Sequence, residues 1–416
     1  MKYRSIKGTK DILPGEVEAW QHVEGSVRRV MQRFNYHEIR TPVFETTALF
    51  SRSIGELTDI VTKEMYTFRD RSDESVTLKP EGTASVLRAY IQNNIGEQAS
   101  LTKLYYIGPM FRQERPQAGR LRQFHQYGAE ALGSQSPALD AEMMIITLEI
   151  YRALGITDTM LKVNSVGCQR CRPRYKDLLI DHLKKIASQL TPDSQSRIQN
   201  NPLRVLDSKD EGDQRRLRDV PLMKDFLCRE CSEHFVEVLS LLDEGGIPHQ
   251  IDGKLVRGLD YYTKTAFEIT SSALGSQDAL AGGGRYDLLV EELGGKPTPG
   301  VGFAAGIERL IMVLKKKELL PSAFRGPRLY IVSADKNARR WTFQRSMELR
   351  RHGIAVEIDY LERSVKAQMR EANRMACELV LIVGERELSS GSGTIKNMTS
   401  GMESSVALSQ LESLFT

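Results

Sequence analysis

The sequence predicts a mixed helix-and-strand protein of two or three domains, with a helical module inserted part-way and an α/β domain at the end. Three observations predict it. At 416 residues the chain is too long for one ordinary core. From about Val163 to Gln250 the composition turns polar and charged, and helical patterns near Pro173–Leu190 and Phe226–Leu242 flank an unpatterned middle. Beyond Pro327 strand and helix patterns alternate: Leu329–Ser333, Arg339–His352, Val356–Tyr360, Val365–Cys377 and Leu379–Val383. That alternation argues for a mainly parallel sheet. The implied boundaries are 1–162 and 251–320 for the two parts of one core, 163–250 for the insert, 321–327 for a linker and 328–416 for the last domain.

Hydrophobic residues make up 40% of the chain and charged residues 27%, the balance of a globular protein, and the net charge of +4 permits a nucleic-acid partner without demanding one. No charged-then-apolar leader is read at the start and no apolar run approaches membrane-spanning length, so no membrane partner is expected. Five cysteines in a chain this size argue against a disulfide scaffold and make a reducing cytoplasm the expectation.

The elements follow in order. A helical pattern covers Glu16 to Phe34, and the alternation around Ile39 reads as a strand that Pro42 confines to an edge or an interface. Val76–Thr83 is a strand that stops at Pro80 and opens a helix; Thr83 could cap it, and Val86, Leu87, Tyr90 and Ile91 form its buried face. Glu81 sits in the turn, where it could cap, face solvent or reach a bound ammonium group.

Leu104 to Glu130 reads as one long hairpin, an aromatic strand, a loop from Gln113 to Arg122 and a returning strand from Gln123 to Ala129. Arg112, Arg115, Arg120 and Arg122 stand on or beside its tip. Guanidinium forks match phosphate oxygens, so the hairpin reads as a polyphosphate site; a charged surface loop is the alternative. Ala138 to Leu154 is an amphipathic helix closed by Gly155.

Cys168, Cys171, Cys228 and Cys231 form two Cys-x-x-Cys pairs at the ends of the insert. They can supply four thiolates to one structural zinc; a redox pair or free thiols are the other readings. Leu255–Tyr262 opens the next block, and Thr265–Ile269 alternates as a strand. Ala281–Asp287 contains a glycine run that is either a tight turn or a place where backbone approaches a ligand, and it does not fit the nucleotide-triphosphatase phosphate loop. Gly300 to Arg309 runs from strand into helix. Arg309 falls in the first helical turn, a poor place for a cation without an anion to meet. In the last domain Arg363, Lys366, Arg370 and Arg374 share one helical face, a stripe that suits a phosphate backbone or simply solvent.

Together these blocks resemble the class II aminoacyl-tRNA synthetases, and within them the bacterial histidyl-tRNA synthetases, over essentially the whole chain. Tyr36–Glu45 resembles the first class motif, Phe111–Glu114 the second and Gly302–Arg309 the third; Leu255–Tyr262 and Ala281–Asp287 resemble the histidyl-specific signatures. Leu288 departs from the glycine often found after Arg-Tyr-Asp. The resemblance implies an α+β core, an antiparallel sheet of six to seven strands flanked by helices, with the inserted helical module and a C-terminal α/β anticodon-binding domain. It implies a homodimer through the first motif, and activation of L-histidine with ATP and Mg²⁺ before transfer to tRNA(His).

By match to the family, Arg112 and Arg257 hold the α-phosphate and Arg309 the γ-phosphate. Glu114 meets the adenine edge and Phe124 stacks on it. Glu130 and Tyr262 satisfy the imidazole, while Glu81, Gly82, Thr83, Gln126 and Tyr261 complete the histidine pocket. Gln117 and Arg120 lie near the tRNA acceptor end. Non-catalytic relatives that regulate ATP phosphoribosyltransferase are the rival reading. They lack the last domain and several of these arginines.

Overall fold

An aromatic and β-branched strand can bury both faces inside a sheet, and Leu104–Tyr106 and Tyr127–Glu130, paired in one hairpin, do so. In the computed structural model, which describes residues 3–55, 58, 60–116, 119–259, 261–275, 278–320 and 326–415, the chain divides into two compact units, residues 1–321 and 322–416.

The first unit contains strands β1 (His37–Glu38), β2 (Phe44–Thr46), β3 (Tyr66–Arg69), β4 (Ser75–Leu78), β5 (Thr102–Phe111), β6 (Gln123–Leu132), β7 (Thr159–Gly167), β8 (His249–Ile251), β9 (Thr263–Ser271), β10 (Ala279–Arg285) and β11 (Gly300–Gly306). Eight of them form one sheet in the order β1-β5-β6-β11-β10-β9-β7-β8, and β2-β4-β3 form a small second sheet. The large sheet is antiparallel except at its edges, where β1 runs parallel to β5 and β8 parallel to β7. Those added edge strands raise the count above the six to seven expected. β1 is an edge strand, as Pro42 nearby suggests, because the chain leaves the sheet before the proline.

Register decides which side chains meet. Glu130 on β6 lies opposite Gly302 on β11, and Glu268 on β9 lies opposite Gly282 on β10. One face of the sheet is covered by helices Val17–Arg33, Pro137–Ala153 and Ile307–Lys316, whose Val23, Val27, Met143, Ile146, Ile150, Leu310 and Leu314 share one apolar core. Ser136 starts the second of these by accepting a hydrogen bond from the Ala138 N–H, with Pro137 at the first helical position.

The inserted segment keeps its own apolar core only between Cys171 and Cys231, around Tyr175, Leu179, Leu183, Val205 and Leu217. The expected span of 163–250 holds more than that core. Its start belongs to β7, and helix Arg229–Glu244 packs Phe235, Val238 and Leu242 into the main core. Those helix positions are apolar at helical spacing, but composition averaged over the segment hid them.

The second unit holds β12 (Leu329–Ser333), β13 (Val356–Ile358), β14 (Leu379–Val383), β15 (Ser392–Asn397) and β16 (Glu403–Ala407) in the order β13-β12-β14-β15-β16. The first three are parallel. A polar antiparallel hairpin, unforeseen from the sequence, extends them. Of the basic stripe, Arg363 is held by Asp359 and Glu371, and Arg374 by Glu371, so half of it is neutralised. The linker expected at 321–327 lies mostly outside the described residues. Among those described, no helix is long and apolar enough to cross a membrane.

Candidate active site and cysteine cluster

Three arginines from distant segments line one cavity of about 450 Å³: Arg112 beyond the end of β5, Arg257 from the loop before β9, and Arg309 from the first turn of the helix after β11. Glu81, Thr83, Glu114, Arg120, Phe124, Gln126, Tyr261 and Tyr262 line the same space. Gln117 lies outside the described residues.

Each cation is positioned by groups around it. Arg112 donates through Nε to the Pro80 carbonyl at 2.9 Å, and its guanidinium carbon stands 5.2 Å from the Phe124 ring centroid. Glu114 sits between two guanidiniums, 3.7 Å from Arg112 and 3.3 Å from Arg120. Arg309 donates through Nη1 to the Ala279 carbonyl at 2.7 Å and through Nε to the Gly119 carbonyl at 3.4 Å. Burial, and then the positive charge of Arg120, hold its pKa below the ordinary arginine value. Like charges gathered in a half-buried space suit a polyanion.

Arg257 donates to Glu268 at 2.6 Å. It lies against β10 at Gly282, where any side chain would overlap the guanidinium. The glycine run is thus a strand rather than a tight turn, and one of its glycines makes room for an arginine. Arg285 in the same strand points away. It is fully buried and pairs with the equally buried Asp140, which also meets His234 Nε2 at 3.2 Å.

A second layer lies beneath the cavity. Glu81 accepts hydrogen bonds from the Thr83 N–H at 2.7 Å and the Ala84 N–H at 2.9 Å, so it caps helix Thr83–Gln92 while facing the cavity. Thr83 does not cap, because it is the first helical residue and its hydroxyl donates to Glu130 at 2.7 Å. Glu130 is 1% exposed and does not reach the cavity wall; the Tyr286 hydroxyl donates to its other oxygen. Burial pushes the Glu130 carboxyl up to about 8, against the lowering effect of these two hydrogen bonds. A side chain at Gly302 would collide with that carboxylate, and one at Gly82 with the Tyr106 ring, so Gly82 makes room rather than lining the cavity. Tyr261 packs on Tyr262 with ring centroids 4.7 Å apart and edge-on to Tyr286 at 5.7 Å.

Sequence reasoning did not single out Tyr286, Glu268 or Arg204. Tyr286 stood inside the quoted glycine-rich block, and a phenol between Arg285 and Asp287 was the available signal. Glu268 is marked only by its register against Gly282, which no linear pattern carries.

The four cysteines converge. Cys168 Sγ is 3.8 Å from Cys171 Sγ and 3.8 Å from Cys228 Sγ, and Cys171 Sγ is 3.9 Å from Cys231 Sγ. All four sulfurs lie within 4.8 Å of one another, and none is in a disulfide. Four thiolates about 2.3 Å from a tetrahedral ion stand about 3.8 Å apart, so the spacing fits zinc. Arg172, next to Cys171, donates to the carbonyls of Val166 at 3.1 Å and Gly167 at 3.2 Å, and to that of Tyr262.

Many known proteins are similar to this chain. Residues 8–310 match the family described as "Histidyl-tRNA synthetase", and residues 329–416 match the family "Anticodon binding domain". A protein from Halothermothrix orenii named "Histidine--tRNA ligase" is 50% identical over 411 residues, covering 99% of this chain and 98% of its own length. One of the same name from Desulforamulus reducens is 48% identical over 405 residues, 97% of each chain. The crystal structure of apo histidyl-tRNA synthetase from S. aureus superposes with a TM-score of 0.84 at 37% identity, covering 99% of both chains.

Proposed function

The chain belongs to the histidyl-tRNA synthetase family, and on that premise we propose how its own residues carry out the family's reaction. The enzyme activates L-histidine with ATP, giving histidyl-adenylate and pyrophosphate, and then transfers histidine to tRNA(His). A histidine carboxylate oxygen attacks the α-phosphorus while the bond to the β-phosphate oxygen breaks. The carboxylate is already a nucleophile at neutral pH, so no general base is needed. The residues must orient the two reactants and neutralise charge that builds on the phosphoryl oxygens.

Arg112 and Arg257 take the α-phosphate from two sides, and Arg309 takes the γ-phosphate at the far end. ATP enters as its magnesium complex, the metal being part of that substrate. Phe124 stacks under the adenine, and Glu114 exchanges an arginine contact for the adenine edge. Glu81, Thr83 and Gln126 hold the amino and carboxylate end of histidine. Tyr262 at the cavity wall, and Glu130 once it releases Thr83 or Tyr286 to reach that wall, match the donor and acceptor of a neutral imidazole. A side chain without that pair leaves buried polar groups unmatched, which can reject it by roughly 10⁴-fold. Arg120, with Gln117, serves the tRNA acceptor end.

The observation that carries this reading is the convergence of Arg112, Arg257 and Arg309 on one cavity that also holds Glu81 and Tyr262. Histidine-dependent exchange of labelled pyrophosphate into ATP tests it; exchange with a different amino acid, or none, overturns it. A regulatory subunit of ATP phosphoribosyltransferase is not favoured, since the arginine set and the anticodon-binding match are both present.

Three further assignments belong to the same proposal. The four cysteines would hold one structural zinc, as their spacing supports, and would thereby be tied together at the two ends of the insert. The chain forms a two-fold dimer through the small sheet, where Val43, Phe44 and Phe68 are exposed apolar side chains. It works in the cytoplasm, where thiols stay reduced.

A further inference from the structure

Beneath the proposed histidine pocket a phenol is sealed in without a bond. Tyr106 on β5 lies opposite Gly128 on β6. Alternation along β6 puts Gly128 on the same sheet face as Glu130 and as Phe124 and Gln126, which line the cavity. Tyr106 thus sits on the cavity's side of the sheet, yet it is 5% exposed and does not form part of the cavity wall. Two glycines make room for it: a Cβ at Gly82 would stand 2.7 Å from its hydroxyl, and one at Gly128 2.5 Å from it. Val86, Leu104 and Met110 pack around the ring. Among the described residues the Tyr106 hydroxyl has no hydrogen-bond partner, and solvent does not reach it. A buried hydroxyl in that state costs stability, and phenylalanine would fill the same space without the cost.

Thr83, which follows Gly82, explains what the phenol is for. Burial, then the charges of Glu130 and Glu81, push the Tyr106 pKa well up, while the nearby Thr83 hydroxyl draws it down. Thr83 has one hydroxyl proton, and in the free enzyme Glu130 receives it at 2.7 Å. To meet an imidazole, Glu130 must let go of Thr83 or of Tyr286. Letting go of Thr83 would strand a second buried hydroxyl unless another acceptor stood beside it. We propose that Tyr106 is a positioning residue: its phenol oxygen accepts the Thr83 hydrogen bond when Glu130 turns to the imidazole. Histidine binding then exchanges one buried hydrogen bond for another, and Tyr286 keeps its hold on the far oxygen of Glu130. The inference rests on the proposed histidine pocket and adds to it a residue that the substrate does not touch.

Tyr106→Phe removes only the hydroxyl. In the free enzyme it should leave the thermal unfolding midpoint equal to that of wild type or above it, because an unpaired group is lost. Histidine, followed by calorimetry, should bind roughly tenfold more weakly, since Thr83 is then stranded on binding. The ATP KM in histidine-dependent pyrophosphate exchange should stay within twofold. Thr83→Val removes the proton that moves, so adding Tyr106→Phe to it should change histidine affinity by less than about twofold. Unchanged histidine affinity in Tyr106→Phe overturns the proposal and gives the Thr83 bond to Tyr261, whose phenol lies near the same hydroxyl. A lowered midpoint with histidine and ATP weakened together also overturns it, making Tyr106 a structural residue. Additive losses in the double variant do the same. Wild-type enzyme that neither binds histidine nor shows histidine-dependent exchange would sink the underlying reaction, and the inference with it.

Discussion

Glu130 is the group in which stability and function pull in opposite directions. Its carboxyl is 1% exposed, and burial raises its pKa from an ordinary 4.5 to about 8. Between those two values the folded enzyme keeps a proton that the unfolded chain has released. Stability contributed by this group is therefore fully present below pH 4.5, falls as pH rises through the window, and levels off above about 8. At 1.36 kcal/mol per unit, the loss by pH 7.5 is about 4 kcal/mol. Glu130→Gln keeps the shape and leaves a carbonyl for the Thr83 or Tyr286 hydroxyl, but cannot titrate. The variant should match wild type near pH 5 and exceed it by about 2–4 kcal/mol at pH 7.5. Denaturant unfolding at several pH values without histidine provides the comparison. Because Glu81 is also buried with a raised pKa, the readout is the difference between the two proteins, in which its contribution cancels. In the same variant, histidine-dependent exchange should fall at least about a hundredfold, since one half of the imidazole match is lost. A stability difference that stays constant between pH 5 and 8 would refute the reasoning.

Other substitutions test other parts of the site. Arg257→Ala should abolish adenylate formation while histidine binding, followed by calorimetry, survives; equal loss of both would make Arg257 a structural arginine. Gly282→Val places a side chain where the Arg257 guanidinium lies, so it should reproduce that phenotype with the arginine still present. Asp140→Ala leaves the fully buried Arg285 with only Asp287 as a charged partner among the described residues and should cost about 2–3 kcal/mol in unfolding measurements. Removing metal with a strong chelator should release close to one zinc per chain and lower the melting temperature; under half an equivalent in the purified protein would count against the zinc site. Phe44→Asp should shift sedimentation from dimer to monomer.

What could be read in advance was whatever a short stretch of chain decides locally. The hairpin, the opening helix, the helix at Pro137–Ala153 and the three parallel strands of the last unit all announce themselves by period and turn residues. Elements set by long-range pairing did not. β8 and the β15–β16 hairpin are short or polar and owe their existence to a neighbouring strand. The same divide runs through the site. Arg112 and Arg309 look odd where they stand, one at a strand end and the other in a helix's first turn, and so attract notice. Tyr286 and Glu268 look ordinary until sheet register sets them beside Glu130 and Arg257. The glycine run misled because a flexible backbone suggests a turn, whereas here the missing Cβ is used sideways, to admit an arginine.

The insert is tied to the cavity by specific groups. Cys171 is followed directly by Arg172, whose guanidinium reaches the Tyr262 carbonyl and two carbonyls at the end of β7. Glu230, between Cys228 and Cys231, meets Lys264, which also lies 3.5 Å from Asp287 beside the buried Arg285. Each cysteine pair thus has a charged residue, Arg172 beside one and Glu230 inside the other, that grips the strands behind the proposed histidine pocket. A filled four-thiolate centre would hold those residues at fixed spacing, and a collapsed one would pull on the Tyr262 backbone before it touched Arg112 or Arg309. Loss of the ion should consequently weaken histidine binding sooner than ATP binding. Equal weakening of both on chelation would mean that the insert supports the fold as a whole rather than this pocket.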